Sequence, residues 1–462
     1  MLELFIGDEK VFLGIIHAML YNRETYRIKQ AERSLREIWY YFEGMIGLVK
    51  VNVEGIGLGA IKGFTLVGDP GCDGLGVEIM SIFNAACHEA AGDFTLIAGD
   101  IVPNGTNRFY KNVIDMLEAT QNRRFYILAG NHDTQNYEDF FGRKDYFLYN
   151  DDMLLIVLDD SKRVFSRETL DLLRRALAYE RENIVLAFHI PPPNKVSQNS
   201  VSEDEWRKVL DIIEPIKKKV RYILCGHVHS YFEDDLDGIK LIASGGGGAR
   251  IEDVEGVAPP YYHFVEFTFG PTGLLHHEYV QVSYSKALKA AKPVLEALEV
   301  AYAGECQAHI RYRLYGEDAL RKGKPGLAKL FFAAADSEFY HARNFYYALS
   351  KFKSLSEAVS ESIANESEEV HDTYLNGLQL AKQQGSGLAA YAFEDAKSAE
   401  SVHLQLLQEA ERMLSTVSDV PERQYSTCTS CGYSFADMRN INFCPVCGAP
   451  LDKIREVRYP CP

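Results

Sequence analysis

Apolar positions change their period twice along this chain. Between Phe64 and His229 they fall in short unbroken runs, FTLV, FTLIA, FYILA, IVLAF and YILC, each followed closely by Gly, Asp, Asn or His. Runs of this length, rich in β-branched and aromatic residues and separated by helical stretches such as VEIMSIFNAACHEA, predict the buried strands of an α/β domain. From about Lys286 the apolar residues recur three and four positions apart instead, predicting amphipathic helices over 286–322, 327–352, 355–383 and 388–416. The loops KGKPG and QQGSG make antiparallel hairpins of the first pair and of the last pair. Ahead of the strands, VFLGIIHAML and YRIKQAERSLREIWYYFEG have helical spacing and LVKVNVEG alternates like a strand. These first 62 residues carry no readable role.

A chain of 462 residues exceeds one hydrophobic core, so two or three domains are expected. Apolar residues at 47% and charged residues at 25% are those of a soluble globular protein. No uncharged apolar run reaches the roughly 18 residues that a spanning helix needs, so no membrane partner is expected. The start, MLELFIGDEKVFLG, has acids where a secretory leader needs lysines, which predicts a cytoplasmic protein. A formal charge of −16 argues against a broad nucleic-acid-binding face, which needs clustered Lys and Arg. Of nine cysteines, four form two Cys-x-x-Cys pairs, while Cys72, Cys87, Cys225, Cys306 and Cys461 are scattered as in a reducing compartment.

The predicted strands end in metal donors: Asp69, Asp100, Asn131 with His132, His189, and His227 with His229. Oxygen and imidazole donors of this kind suit one or two divalent ions of manganese, iron or zinc, held a few ångströms apart. The order GD, GD, GNHD, H, GHxH, with SGGGG after Ala243, resembles the calcineurin-like metallophosphoesterases. That resemblance implies that Asp100 bridges two metals, that Asn131, His189 and His227 complete one site, and that Asp69 and His229 belong to the other. It also implies that His132, held by Asp133, faces the scissile phosphate of a phosphoester substrate. One ligand departs from the pattern, because Asp69-Pro70-Gly71 stands where most of that family has Asp-x-His. Asp100-Ile-Val-Pro103 also lacks the tyrosine of the purple acid phosphatases. Asp73, Cys72 or water must fill the gap, or the site holds one metal or is inactive.

The helices carry a second constellation: Glu305 alone, Glu338 with His341, Glu366 with Glu369, and Glu400 with His403. Residues three apart share a helix face. Any one of these acids alone is best read as a solvated surface group. Two helices giving Glu and two giving Glu-x-x-His make the ligand set of a carboxylate-bridged di-iron bundle, with Glu369 in excess. That excess, AGECQA around Glu305, and Tyr312 and Tyr374 seven and five residues beyond Glu305 and Glu369 resemble rubrerythrin, a non-haem di-iron peroxidase. Cys428-x-x-Cys431 and Cys444-x-x-Cys447 resemble the rubredoxin-type module of that family, with structural zinc as the rival to iron.

The two resemblances together imply a multidomain fold. After an extension over 1–62 come an α/β metallophosphoesterase sandwich over 63–284, an all-α ferritin-like four-helix bundle over 285–418 and a small rubredoxin-like four-cysteine ribbon over 424–462. They imply reduction of hydrogen peroxide to water, with electrons passed from a reductase through the four-cysteine module. Tyr312 and Tyr374 would stand beside the metals, and Glu369 and His341 would exchange as ligands. Alternatively, the chain is chiefly a phosphohydrolase gated by the redox state of the bundle, or its front domain is an inactive oligomerisation scaffold. His263, His276 and His277 have no partner spacing and are read as structural or solvent-exposed, and Cys306 as a small buried apolar residue.

The link between the second and third helices, FKSL, is too short for one bundle. In a ferritin-like bundle those helices are parallel, so the link must retrace a helix of ~20 residues, about 30 Å. Four residues of at most ~3.6 Å each cannot do so. The hairpins are therefore expected to belong to different bundles, in a homodimer or higher oligomer with helices exchanged between chains.

Overall fold

The computed structural model describes residues 47–120, 124–133, 135–252, 254, 261–283, 291–351, 353–417, 419–436 and 442–458. The helices expected within the first 46 residues, and Cys461, lie outside them. The chain divides into two compact units, one ending at Ser350 and the other beginning at Lys351.

The first unit opens with strands β1 (Gly47–Leu48), β2 (Gly55–Gly57), β3 (Gly63–Val67), β4 (Phe94–Ile97), β5 (Arg124–Ile127), β6 (Tyr146–Tyr149) and β7 (Met153–Val157). It continues with β8 (Asn183–Ala187), β9 (Val220–Cys225), β10 (Tyr231–Leu236), β11 (Ile239–Ser244), β12 (His263–Phe269) and β13 (Leu275–Gln281). One sheet has the order β1-β5-β4-β3-β12-β13 and the other β10-β11-β9-β8-β7-β6-β2. Phe64, Leu96 and Tyr126 of the first sheet pack with Leu155, Val185 and Leu224 of the second in a shared core. Helices α1 (Val77–Glu89) and α2 (Asn107–Ala119) cover the outer face of the first sheet, where Phe83, Val113 and Leu117 meet Val67 and Phe125. A short helix α3 (Tyr137–Phe141) follows. Helices α4 (Arg167–Leu177) and α5 (Glu203–Ile213) cover the second sheet through Leu172, Leu173 and Val209. Strands covered on both faces need no polar alternation, which is why β3, β4, β7 and β8 are buried along their whole length and apolar but for Thr65, Thr95 and Asn183.

Strands β3, β4 and β5 are parallel, as are β7, β8, β9 and β11. Their C-terminal ends therefore share one rim, the usual place for a site in an α/β sheet. LVKVNVEG is not one strand: Leu48 belongs to β1, Val51 makes an isolated bridge to Gly142, and β2 follows as the far edge of the second sheet. The sheets thus recruit residues ahead of position 63.

The same unit ends in a helical hairpin, α6 (Lys292–Arg321) and α7 (Pro325–Ala348), each with proline in its first turn. Ala308, Ala319, Ala328, Ala335 and Ala342 are buried, whereas Ile310, Leu314 and Leu330 are more than half exposed. The hairpin is anchored on α1: Tyr347 Oη donates to Glu78 Oε1 at 2.9 Å and Arg343 lies 3.3 Å from the same carboxylate.

In the second unit α8 (Leu355–Glu368) starts in a capping box formed by Ser354 and Glu357. The helix expected over 355–383 is interrupted by a π turn, Glu369–Thr373, before α9 (Tyr374–Gln383). Helix α10 (Gly387–Leu414) returns antiparallel, and a ribbon follows with strands β14 (Tyr425–Cys428), β15 (Ser434–Ala436) and β16 (Ile454–Glu456) in the order β15-β14-β16. A bidentate pair, Arg423 Nη2 to Glu409 Oε1 at 2.7 Å and Nη1 to Oε2 at 3.1 Å, ties the ribbon's leading segment to α10.

Candidate metal centres

At the sandwich rim the chain leaves β3, β4 and β9 through residues in the left-handed region: Asp69 at φ 52°, Asp100 at 51° and His227 at 69°. Such strain in non-glycine residues persists where surrounding structure over-determines it, and it gathers at functional sites. Glycines give the carboxylates room. A Cβ at Gly130 would strike the Asp100 carboxylate and one at Gly226 the Asp69 carboxylate. The SGGGG segment lies against the Asp69 turn, with Gly247 N donating to Gly68 O at 2.8 Å and Ala249 N to Asp69 O at 3.0 Å.

His189, fully buried, is the hub of this rim. Its Nδ1 lies 2.8 Å from Ala98 O, so Nδ1 carries the donating proton and Nε2 points inward with its lone pair. Around that Nε2 stand Asp100 Oδ2 at 3.2 Å, Asn131 Oδ1 at 3.1 Å and His227 Nδ1 at 3.2 Å. Acceptors converging on a lone pair repel one another unless a positive charge sits among them. A proton can provide it, and so can a divalent cation, for which this donor set is suited. The charges respond accordingly. Burial opposes the His189 imidazolium, yet Asp100 and Asp69 hold it up to about 10. Burial and the charges of His189 and Arg163 depress His227 to about 3. Burial alone would raise Asp100, but His189 pulls it below the ordinary carboxylate range, while burial and Asp100 push Asp69 well above it. His229 Nε2 lies 3.9 Å from Asp69 Oδ1 on the other side of the rim.

His132 is held differently from the expectation. Its Nδ1 lies 3.0 Å from Pro103 O, and its half-exposed ring reaches to 4.0 Å from Asp100 Oδ2. Asp133 instead accepts Gly130 N at 2.9 Å and Ile101 N at 3.4 Å, from a fully buried position. Burial and Asp100 push its carboxyl up to about 7. Asp133 therefore braces two strand-end loops and does not hold the imidazole. Three contributors had no signal in the spacing. Asn199 Oδ1 and Arg163 Nη2 lie 2.9 and 3.0 Å from His227 Nε2, and Asp160 accepts the backbone N–H groups of His189 and Ile190.

Each helical hairpin gathers two carboxylates and a histidine. On α6 and α7, His341 Nδ1 lies 2.8 Å from Glu338 and 4.0 Å from Glu305. Across α8 and α10, His403 Nδ1 lies 2.5 Å from Glu400 and 3.9 Å from Glu366. Burial and the hydrogen-bonded contact with Glu400 push Glu366 up to about 7. Its Oε2 is buried with no hydrogen-bond partner among the described residues. Acids forced together beside an imidazole, with one oxygen orphaned, fit a cation between them. Glu369 sits in the π turn, a distortion frequent at functional sites, and accepts from Tyr374 Oη at 3.1 Å. Burial and Glu369 push that phenol up to about 12. Tyr312 stacks on Phe331 with ring centroids 6.2 Å apart.

In the ribbon, Cys428 and Cys447 sulfurs are 3.7 Å apart and those of Cys431 and Cys444 are 3.6 Å apart. A tetrahedral site with bonds of ~2.3 Å has edges of ~3.8 Å, so the four fit one ion. Despite burial, the backbone N–H groups of Ser430 and Cys431 lower the Cys428 thiol to about 7.

Residues 63–231 match the calcineurin-like phosphoesterase family and residues 296–411 match the rubrerythrin family. Rubrerythrin-2 of Clostridium acetobutylicum is 31% identical over 172 residues, 34% of this chain and 93% of that protein. The chain belongs to the rubrerythrin family. Nigerythrin of Nitratidesulfovibrio vulgaris is 28% identical over 180 residues, 35% of this chain and 86% of that protein. In the front half, the probable glycerophosphodiester phosphodiesterase GpdQ of Arcobacter nitrofigilis is 27% identical over 158 residues, 30% of this chain and 56% of that protein.

This rubrerythrin thus carries a calcineurin-like phosphoesterase domain ahead of its helices. Its ribbon also touches a half-site, because Ser434 Oγ of β15 lies 3.0 Å from His403 Nε2, the ring nitrogen turned away from Glu366 and Glu400. Among the described residues, no helix is long and apolar enough to cross a membrane.

Proposed function

We propose that this rubrerythrin reduces hydrogen peroxide at a di-iron centre and hydrolyses a phosphoester at the rim of its front domain. The observation that supports the redox reading is the contact of Ser434 with His403, which lays the ribbon that bears the four cysteines against a Glu/His half-site. Iron, when bound, supplies two electrons per peroxide, so that hydrogen peroxide, two electrons and two protons give two waters. The chain's own groups position and protonate. Tyr374, protonated throughout the neutral range, holds Glu369 by its Oη and can hand a hydrogen bond to a departing oxygen. Electrons come from a reductase through Cys428, Cys431, Cys444 and Cys447, in a reducing cytoplasmic setting.

Two divalent cations, when bound at the front rim, supply charge that offsets the phosphate and lowers the pKa of water. His132, held at Nδ1 by Pro103 O, brings Nε2 to 4.0 Å from Asp100 Oδ2, and from there donates to a phosphate oxygen when protonated. The short FKSL link and the open half-sites support a homodimer in which hairpins from two chains complete each centre; the His341 side chain is 52% exposed.

The test is anaerobic reconstitution with iron and an NADH-coupled peroxide assay with a reductase. Glu369→Ala is expected to lose peroxide turnover and keep Mn²⁺-dependent hydrolysis of bis-p-nitrophenyl phosphate. Undiminished peroxide consumption by that variant would refute the redox reading. A second reading, hydrolysis gated by the redox state of the helices, is favoured by the grip of Arg343 and Tyr347 on Glu78. These residues join the helix of His341 to the helix that follows the Asp69 loop. Hydrolysis rates that differ between oxidised and reduced protein, and cease to differ in Glu78→Gln, would support it.

A further inference from the structure

The first metal motif lacks its histidine for a steric reason. In the pattern Asp-x-His the third position is Gly71, and a Cβ there would run into the backbone carbonyl of Ile101. Gly71 N also donates to Asp100 O at 2.9 Å, which fixes it in that crowded place. No side chain fits where the histidine would start. The chain then turns at once: Gly74 N donates to Gly71 O at 3.0 Å, and Gly74 takes φ 122°. This turn sends Cys72 inward, 7% exposed, with Sγ 3.2 Å from His229 Nε2. His229 Nε2 in turn lies 3.9 Å from the fully buried Asp69. Asp73, the other neighbour, is exposed, and its Oδ2 accepts from Arg250 N at 2.7 Å.

We propose that Cys72 supplies the missing ligand, its sulfur joining Asp69 and His229 around the second cation of the rim, with Asp100 between the two ions. This rests on the reading of the front domain as a metal-dependent phosphoesterase. Binding exchanges the thiol proton for the cation and involves no redox step. A thiolate is a softer donor than imidazole, so this position selects zinc or iron(II) over manganese or magnesium. The neighbouring set of Asp100, Asn131, His189 and His227 lacks sulfur and keeps its preference for harder ions. The rim is thereby built for two unlike metals.

The experiment uses the full-length protein loaded with Co²⁺, whose bond to thiolate gives a near-ultraviolet charge-transfer band. Wild type is expected to show five thiolates' worth of that band, from Cys72 and the four ribbon cysteines. Cys72→Ser, nearly isosteric, is expected to lose one share, to bind one fewer cobalt ion at limiting metal, and to hold the second at least about tenfold more weakly. An unchanged band and metal count in Cys72→Ser overturn the assignment of Cys72. Asp100→Asn separates that failure from a failure of the underlying reading. Loss of cobalt and of phosphoester hydrolysis in Asp100→Asn, beside an unaffected Cys72→Ser, removes only the thiolate. Retention of both in Asp100→Asn removes the phosphoesterase site itself.

Discussion

The rim of the sandwich and the helical half-sites gather similar side chains in opposite ways. At the rim, Asp69, Asp100, His189 and His227 are 0–9% exposed, and each sits where a buried strand stops. On the hairpins, the side chains of Glu305, Glu338 and His341 are 19–52% exposed and those of Glu366, Glu400 and His403 are 21–32% exposed. Two sheets with their helices make a core large enough to desolvate ligands before any metal arrives. A two-helix hairpin does not. The first site is thus preorganised by packing, and in the proposed dimer the second would be finished by its metal and by another hairpin.

The largest effect should come from emptying the preorganised site. Asp100→Asn keeps the shape but removes the charge that offsets His189, and phosphoester hydrolysis should fall on the order of 10³-fold, with peroxide turnover unaltered. Equal loss of both activities in steady-state assays would show that the two regions are not independent. Next comes the incomplete site. A flexible Gly/Ser insert of roughly 20 residues between Ser350 and Leu355 can span a helix length. It should convert a helix-exchanged dimer into a monomer that still binds iron, read by light scattering and metal analysis. An insert that leaves the oligomer unchanged would remove hairpin exchange.

The same contrast explains what could be read ahead of the structure. Strand-end donors were legible because a strand covered on both faces is an unbroken apolar run, and Asp69, Asp100, His189 and His227 stand just where such runs end. The grouping of the helical Glu and His side chains was legible because three-residue spacing survives any packing. The helix of 355–383 hid its π turn, since one extra residue per turn leaves the apolar pattern nearly intact. Arg163 and Asn199 act from loops without periodicity, and the partner of His132 is a carbonyl, which no side-chain motif encodes. Ser434 meets His403 across 31 residues, a contact set by how the ribbon lies on α10. Gly71 could be seen as a missing histidine, but the reason, the carbonyl of Ile101 from the next strand end, is tertiary.

A smaller effect is expected from Ser434→Ala. The hydroxyl partners the far nitrogen of His403, and outer partners of metal-binding imidazoles are worth about 10–100-fold in affinity or activity. Iron at the hairpin centre should weaken within that range and be reduced more slowly by the ribbon in stopped-flow absorbance, while the four-cysteine spectrum stays the same. Unchanged reduction would leave Ser434 as a surface contact only.

The subtlest consequence is a pH dependence to which the hairpin site contributes through Glu366, beside the buried Asp133 of the rim, which is also held at about 7. Glu366 is held at about 7 by burial and by Glu400, above the ordinary glutamate value. A carboxyl raised in the folded state binds its proton more tightly there than in the unfolded chain. Its stabilising contribution is full below the unfolded value and is lost as pH rises through about 7. With the hairpin centre metal-free, thermal melting should therefore fall between pH 5.5 and pH 8, and Glu366→Gln should reduce that slope by the share of Glu366, leaving that of Asp133. Iron binding at the hairpin should reduce it by the same share, because the cation replaces the proton between Glu366 and Glu400. A slope that neither the substitution nor the metal diminishes would mean that the acids of the half-site are not what strains the metal-free fold.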